Sequence, residues 1–169
     1  MSSLSVPDIL LQEAIASLKH VKNDVAAFTE VLKIIDFCLG EDAILARALE
    51  TIDAGNVVTV VGEPSGRSLH QIYSSGAKKA IAMGHEVDPG LSSGLFYTFI
   101  SGRCSCYDFA RRVESNLLNR SVKDGGVDEN SARPRRYCKH SLAASIADAL
   151  GRSKVVHISD LELFPLFLS

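Results

Sequence analysis

Four residues of this chain have the types and spacing of a metal site. Cys104 and Cys106 are separated by one residue, and Cys138 and His140 repeat that spacing after a spacer of 31 residues. In an extended segment, residues i and i+2 point to the same face, so the first two sulfurs can meet at one point. In a helix interior such residues diverge. The second pair therefore converges only if Cys138 precedes a helix and His140 lies in its first turn.

Three thiolates and one imidazole form a closed tetrahedral donor set suited to Zn²⁺, whereas iron–sulfur clusters favour four cysteines. The long spacer is no obstacle, because the entropy of loop closure grows only logarithmically with length. Amides of a first helical turn also favour a nearby thiolate. We predict that Zn²⁺ is the cofactor and that its ligands are Cys104, Cys106, Cys138 and His140. The alternative is a set of unrelated buried cysteines.

The segments around these residues have the patterns of strands and a helix. β-branched and aromatic residues predict strands at 56–61, 69–73, 80–83 and 95–100, with a turn at 62–66. Apolar residues at helical spacing predict a helix over 141–150, which begins where the geometry of Cys138 and His140 requires it. A short helix is expected over 108–118.

The first 55 residues have helical patterns. Two apolar stripes end at Gly40 and at Ala54-Gly55; Cys38 lies on the first and is interpreted as a core residue. We predict an α+β fold, with a helical N-terminal region followed by a small antiparallel sheet and a zinc-stabilised ββα finger. The expected divisions are 1–55, 56–152 with an insertion at 119–134, and an apolar tail at 153–169.

The apolar tail would be costly to leave in water, with Leu163, Phe164, Phe167 and Leu168 close to its end. Ser159 and Glu162 have the spacing of a helix cap before Pro165. The tail either folds back onto the domain or docks onto a partner, and the sequence leaves both open.

Charge is unevenly distributed. Residues 101–140 contain nine Lys/Arg and five Asp/Glu, whereas residues 1–55 contain four Lys/Arg and nine Asp/Glu. A basic segment on an acidic body can approach a polyanion with one side. The candidate contacts to DNA phosphate are Arg103, Arg111, Arg112, Arg133, Arg135, Arg136 and Lys139. A solvated loop or a protein contact would give the same composition.

The composition also excludes some classes of protein. The N-terminal residues lack a signal-peptide pattern, and no run of about 18 apolar residues predicts a membrane span. We therefore expect a cytosolic or nuclear protein with reduced thiols. Gly62 to Arg67 resembles a phosphate-binding loop only superficially, because three residues separate the glycines and Arg replaces Lys. A hairpin turn is the preferred interpretation.

The pattern C-x-C…C-x-H on a strand–strand–helix frame resembles the SWIM zinc finger. The stretches GEPSGRSLHQIYSS, FYTFISGRCSCYDFA and RYCKHSLAASIADAL resemble the small SWIM-domain subunits of Shu complexes, which are accessories of homologous recombination. The resemblance covers roughly residues 56–150. Two departures are a longer spacer and Tyr107, which stands where some relatives carry Pro.

The resemblance implies a nuclear, non-enzymatic protein that pairs with a RecA-like recombinase paralogue, binds DNA with it, and supports assembly of the recombinase filament. It assigns the zinc ligands to Cys104, Cys106, Cys138 and His140. One alternative is a free-standing DNA-binding SWIM module of the transposase- or transcription-related type. Another is a thiol enzyme with Cys138 as nucleophile and His140 as base, but a fully ligated zinc leaves no catalytic water.

Overall fold

The computed structural model describes residues 6–40, 43–74, 96–111 and 137–167. Its helices are α1 (Val6–Val21), α2 (Val25–Leu39), α3 (Ile44–Asp53), α4 (Lys139–Leu150) and α5 (Asp160–Leu166). Its strands are β1 (Val57–Glu63), β2 (Ser68–Tyr73), β3 (Phe96–Ile100), β4 (Arg103–Cys104) and β5 (Lys154–Ser159). The predicted α+β class is confirmed. Within these ranges, no helix is both long and apolar enough to span a membrane.

The N-terminal helices α1–α3 pack with α4 around one core. Asp24 caps α2 by accepting hydrogen bonds from the amides of Ala26 and Ala27, and Gly40 ends the helix with a positive φ of 77°. The predicted apolar stripes face this core, which contains the buried residues Leu18, Ile35, Ala48, Ile52, Leu142 and Ile146. Cys38 packs against its edge, as expected.

The sheet contains five strands in the order β4-β3-β2-β1-β5. Strands β1 to β4 pair antiparallel, and the turn between β1 and β2 lies where the sequence predicts it. The predicted antiparallel sheet is confirmed for these strands, but the whole sheet is mixed, because the tail adds the unpredicted strand β5 parallel to β1. The reason lies in the tail: its apolar residues extend along β1 and so bury part of their surface against the existing sheet.

The end of the tail packs back onto the sheet. Ser159 and Glu162 form the capping box that starts α5. Leu163 is buried against Val60 and Leu69. Gly62 allows this close approach, since a Cβ atom there would lie 2.5 Å from both Asp160 Oδ1 and Leu163 Cδ2. Of the residues predicted to need cover, Leu163 and Phe167 fold back onto the domain, whereas Phe164 is 64% exposed and Leu168 lies outside the described residues.

Some expectations concern residues outside the described ranges. These are the strand at 80–83, the insertion at 119–134 and most of the helix at 108–118. Residues 107–111 are helical and agree with the start of that helix.

Candidate zinc centre

A tight hairpin positions the first pair of cysteines. Ser101 and Gly102 connect β3 to β4, and both have positive φ, 47° and 82°. Such a two-residue turn matches the natural twist of the strands that it joins. Cys104 lies opposite Phe99, and Ser105 extends the pairing because it exchanges two hydrogen bonds with Thr98. The hairpin thus carries the extended backbone to Cys106.

Cys106 lies at the start of the helical residues 107–111. Its carbonyl oxygen accepts hydrogen bonds from the amides of Phe109 and Ala110, at 3.1 Å and 3.2 Å. Its Sγ accepts a further hydrogen bond from the amide of Phe109, at 3.4 Å. Amide donors of this kind favour a thiolate at Cys106, which is the form that binds a metal.

Cys138 is the N-cap of α4, and His140 lies in the first turn, as the spacing predicts. The Cys138 Sγ accepts a hydrogen bond from the amide of Ser141 at 3.4 Å. The hydroxyl oxygen of Ser141 in turn accepts from the Cys138 amide at 3.0 Å. This reciprocal arrangement is a capping box with a sulfur in place of the usual oxygen.

The structure brings all four predicted ligands together. One ligand atom from each of Cys104, Cys106, Cys138 and His140 lies within 4.8 Å of the other three, and all four residues are buried. The ring of Tyr97 stacks on the His140 imidazole with centroids 4.1 Å apart. Phe99 and Phe109 pack against the sulfurs. The elements β4, 107–111 and α4 therefore converge on one point.

The donor set fits a zinc ion. Among the described residues, Nδ1 of His140 is a buried nitrogen with no hydrogen-bond partner. A buried polar atom of this kind is costly unless something binds it. Three thiol sulfurs with one imidazole match the composition of closed structural zinc sites. When bound, zinc would cross-link the hairpin to the start of α4.

Hydrogen bonds among the three thiols shift their pKa values in opposite directions. Hydrogen bonds from Cys104 and then Cys106 lower the pKa of Cys138 well below the usual thiol range, despite its burial. Hydrogen bonds with Cys106 and Cys138, together with burial, raise the pKa of Cys104. For Cys106 the hydrogen bond with Cys104 lowers the pKa, but Cys138 and burial outweigh it and raise the value to about 11. Of the three thiols, Cys138 is therefore the one that loses its proton most readily.

The structure describes three of the predicted DNA contacts. Arg103 and Arg111 are exposed, and Lys139 is partly exposed in the first turn of α4. All three are close in sequence to zinc ligands. Arg112, Arg133, Arg135 and Arg136 lie outside the described residues.

Sequence reasoning missed the supporting residues. Ser141 occupies the third helical position after the Cys138 cap, and this spacing is a recognisable capping signal. Tyr97 faces the same side of β3 as Phe99, a period-2 signal that would have placed it over the site. Ser105 has no sequence signal, because its role depends on the pairing with Thr98.

The fold and the cluster define a small α+β protein with a zinc-binding module. The chain is similar to the Mus musculus protein "Zinc finger SWIM domain-containing protein 7", with 25% identity over 172 residues. The alignment covers 98% of this chain and 87% of the mouse protein. No protein-family profile matches the sequence, and no solved structure matches it.

Proposed function

We propose that this protein is a non-enzymatic zinc-binding adaptor of homologous recombination in the nucleus. It pairs with a RecA-like recombinase paralogue, binds DNA as part of that complex, and supports assembly of the recombinase filament. The observation that carries the proposal is the convergence of Cys104, Cys106, Cys138 and His140 in the spacing of a SWIM finger. The similarity to a SWIM-domain protein over nearly the whole chain supports it.

A structural role for the metal follows from the donor set. Four protein ligands fill a tetrahedral zinc ion, so no coordination position remains for a substrate or a reactive water. The ligands are also 94% or more buried. The role of the ion is then to hold the β3–β4 hairpin against α4.

Exposed apolar side chains support the adaptor role. On α2, Phe37 is 82% exposed, and Ile34, three residues earlier and so on the same face of the helix, is 40% exposed. Large exposed apolar side chains that lie close together mark contact surfaces for other proteins. The acidic helical region is unsuited to DNA, so we assign α2 to the protein partner and the basic segment around the zinc centre to DNA.

Affinity purification of the tagged chain tests the proposal. We expect co-purification of a RecA-like ATPase in stoichiometric amount, and about one zinc per chain by elemental analysis. The complex should bind DNA more tightly than the chain alone, and binding should weaken steeply with salt. The adaptor role would be contradicted if no such ATPase co-purifies and if the chain alone binds DNA as tightly as any complex does.

That contrary result would favour the second candidate, a free-standing DNA-binding SWIM module. The exposed Arg103 and Arg111 beside the zinc centre are the observation in its favour. A module of this type should select one sequence from a random duplex library without any partner. An adaptor should show no such selection.

A further inference from the structure

Three aromatic side chains of the described residues are largely exposed: Phe37, Tyr107 and Phe164. Phe37 lies on α2 next to Asp36, and Phe164 lies on α5 with Asp160 and Glu162. Tyr107, 77% exposed, differs from both because it lies in the basic segment and directly follows a zinc ligand. Its surroundings therefore suit a polyanion, whereas those of the other two do not.

The backbone of Tyr107 is fixed on both sides. Cys106 precedes it and belongs to the buried cluster. Phe109 follows it, donates its amide to Cys106, and packs against the sulfurs. A ring that projects into water from such a fixed position loses little conformational freedom when a ligand covers it.

Positive charge lies beside this ring. Arg111 is exposed and follows Tyr107 by four residues in the helical stretch 107–111, a spacing that places both side chains on one face. Arg103 is exposed on the hairpin that leads into Cys106. Asp108 is the acidic residue of this stretch.

We propose that Tyr107 is a stacking platform for an unpaired base of single-stranded nucleic acid, with Arg111 and Arg103 contacting the adjacent phosphates. This inference rests on the proposed DNA-binding function and names its substrate class. Aromatic rings stack on bases only where the base faces are accessible, as in single strands, while guanidinium groups bind the backbone irrespective of sequence. In duplex DNA the base faces are covered by neighbouring pairs, so Tyr107 has nothing to stack on.

The full chain, alone and with its co-purified partner, should be titrated with labelled oligo(dT) and with a random-sequence duplex. We expect Tyr107→Ala to weaken oligo(dT) binding by about 5- to 100-fold and to change duplex binding little. Tyr107→Phe should bind as the native chain does, because it keeps the ring. The matched control Phe164→Ala should bind oligo(dT) normally, because Phe164 is also exposed but lies outside the basic segment, and Tyr107→Ala should retain its zinc.

A second measurement does not depend on a truncating substitution. The chain contains no tryptophan, so Tyr107→Trp introduces a single indole fluorophore. Oligo(dT) should quench its fluorescence, and duplex should quench it much less. If the Tyr107→Trp complex binds DNA but its indole fluorescence does not change when oligo(dT) is added, the inference is wrong.

The failures can be told apart. A complex that binds oligo(dT) equally with and without the Tyr107 ring overturns the stacking platform and leaves the adaptor function standing. If Tyr107→Ala instead weakens recovery of the partner, the ring is a protein contact and the inference is also wrong. A complex that binds neither oligo(dT) nor the duplex overturns both proposals.

Discussion

Cys138 serves two purposes at one position, because its sulfur caps α4 and is also a predicted zinc ligand. Its lowered pKa and the amide of Ser141 both favour the thiolate. At the residue scale, this one sulfur therefore links the metal site to the start of α4. Cys138→Ala should therefore remove a ligand and a cap together, whereas Cys138→Ser should remove only the ligand.

Cys138→Ser should lose most of its zinc and unfold at a lower temperature, since a hydroxyl binds zinc poorly although it can still cap the helix. Cys38→Ser is the matched control, because Cys38 packs against the helical core and is not part of the cysteine cluster. Elemental analysis and thermal unfolding of both variants check this prediction. Equal zinc content in the two variants would contradict it.

Zinc uptake should release protons. The pKa values of Cys104 and Cys106 are raised, so both are thiols at neutral pH and must lose a proton to bind the metal. Zinc affinity should therefore rise with pH, by about tenfold per pH unit for each proton displaced. Competition with a chromophoric chelator measures this slope. The titration should cover about pH 6 to 8, where imidazole groups and thiols ordinarily gain or lose protons. A pH-independent affinity would contradict it.

At the scale of the elements, the packing of α5 against β1 depends on the absence of a side chain at Gly62. In Gly62→Ala the new methyl group would meet Leu163 and Asp160, and Leu163 has no space to move because it is buried. We expect a loss of about 1–3 kcal/mol in unfolding free energy from overpacking. Denaturant unfolding measures it.

A double substitution provides the control for this prediction. Leu163→Ala alone should cost about 2–5 kcal/mol, since it empties a packed position. In the double variant with Gly62→Ala, the loss of unfolding free energy should be smaller than the sum of the two single losses. The reason is that the added methyl group then fills part of the space left by Leu163. Strict additivity would show that the two residues do not share this contact.

The elements also show what the sequence could and could not predict. The apolar stripes of α2 and α3 and the start of α4 directly after Cys138 follow from local spacing, and all three predictions are confirmed. The parallel pairing of β5 with β1 joins residues about 95 positions apart, and no local pattern encodes such a partner choice. The Tyr97–His140 stacking was missed although the alternation along β3 puts Tyr97 on the same face as Phe99, which packs against the cysteine cluster.

At the scale of the whole molecule, the thiol cluster and the helical core are separate clusters that share α4. A polar contact also anchors the C-terminal half of α4, since Nε2 of His70 lies 3.1 Å from a carboxylate oxygen of Asp148. Removal of zinc should therefore first loosen the elements around the cysteine cluster, which are the β3–β4 hairpin and the first turn of α4. The helical core of α1–α3 should keep its own buried contacts.

Hydrogen exchange measured before and after chelation checks this prediction. We expect amides of β4, residues 105–111 and the first turn of α4 to lose protection, while amides of α1–α3 keep theirs. Readdition of zinc should restore protection at the first set. Uniform loss across the chain would indicate that the metal supports the entire fold.

The centre also joins two points that are far apart in sequence. Cys106 and Cys138 bracket the stretch between them, and a shared ion would hold both of its ends within bonding distance of each other. Lengthening that stretch would then leave the ends where they are, at a small entropic cost. A fluorescent tag inserted there, rather than at either terminus, should report on the protein in cells without disturbing the fold.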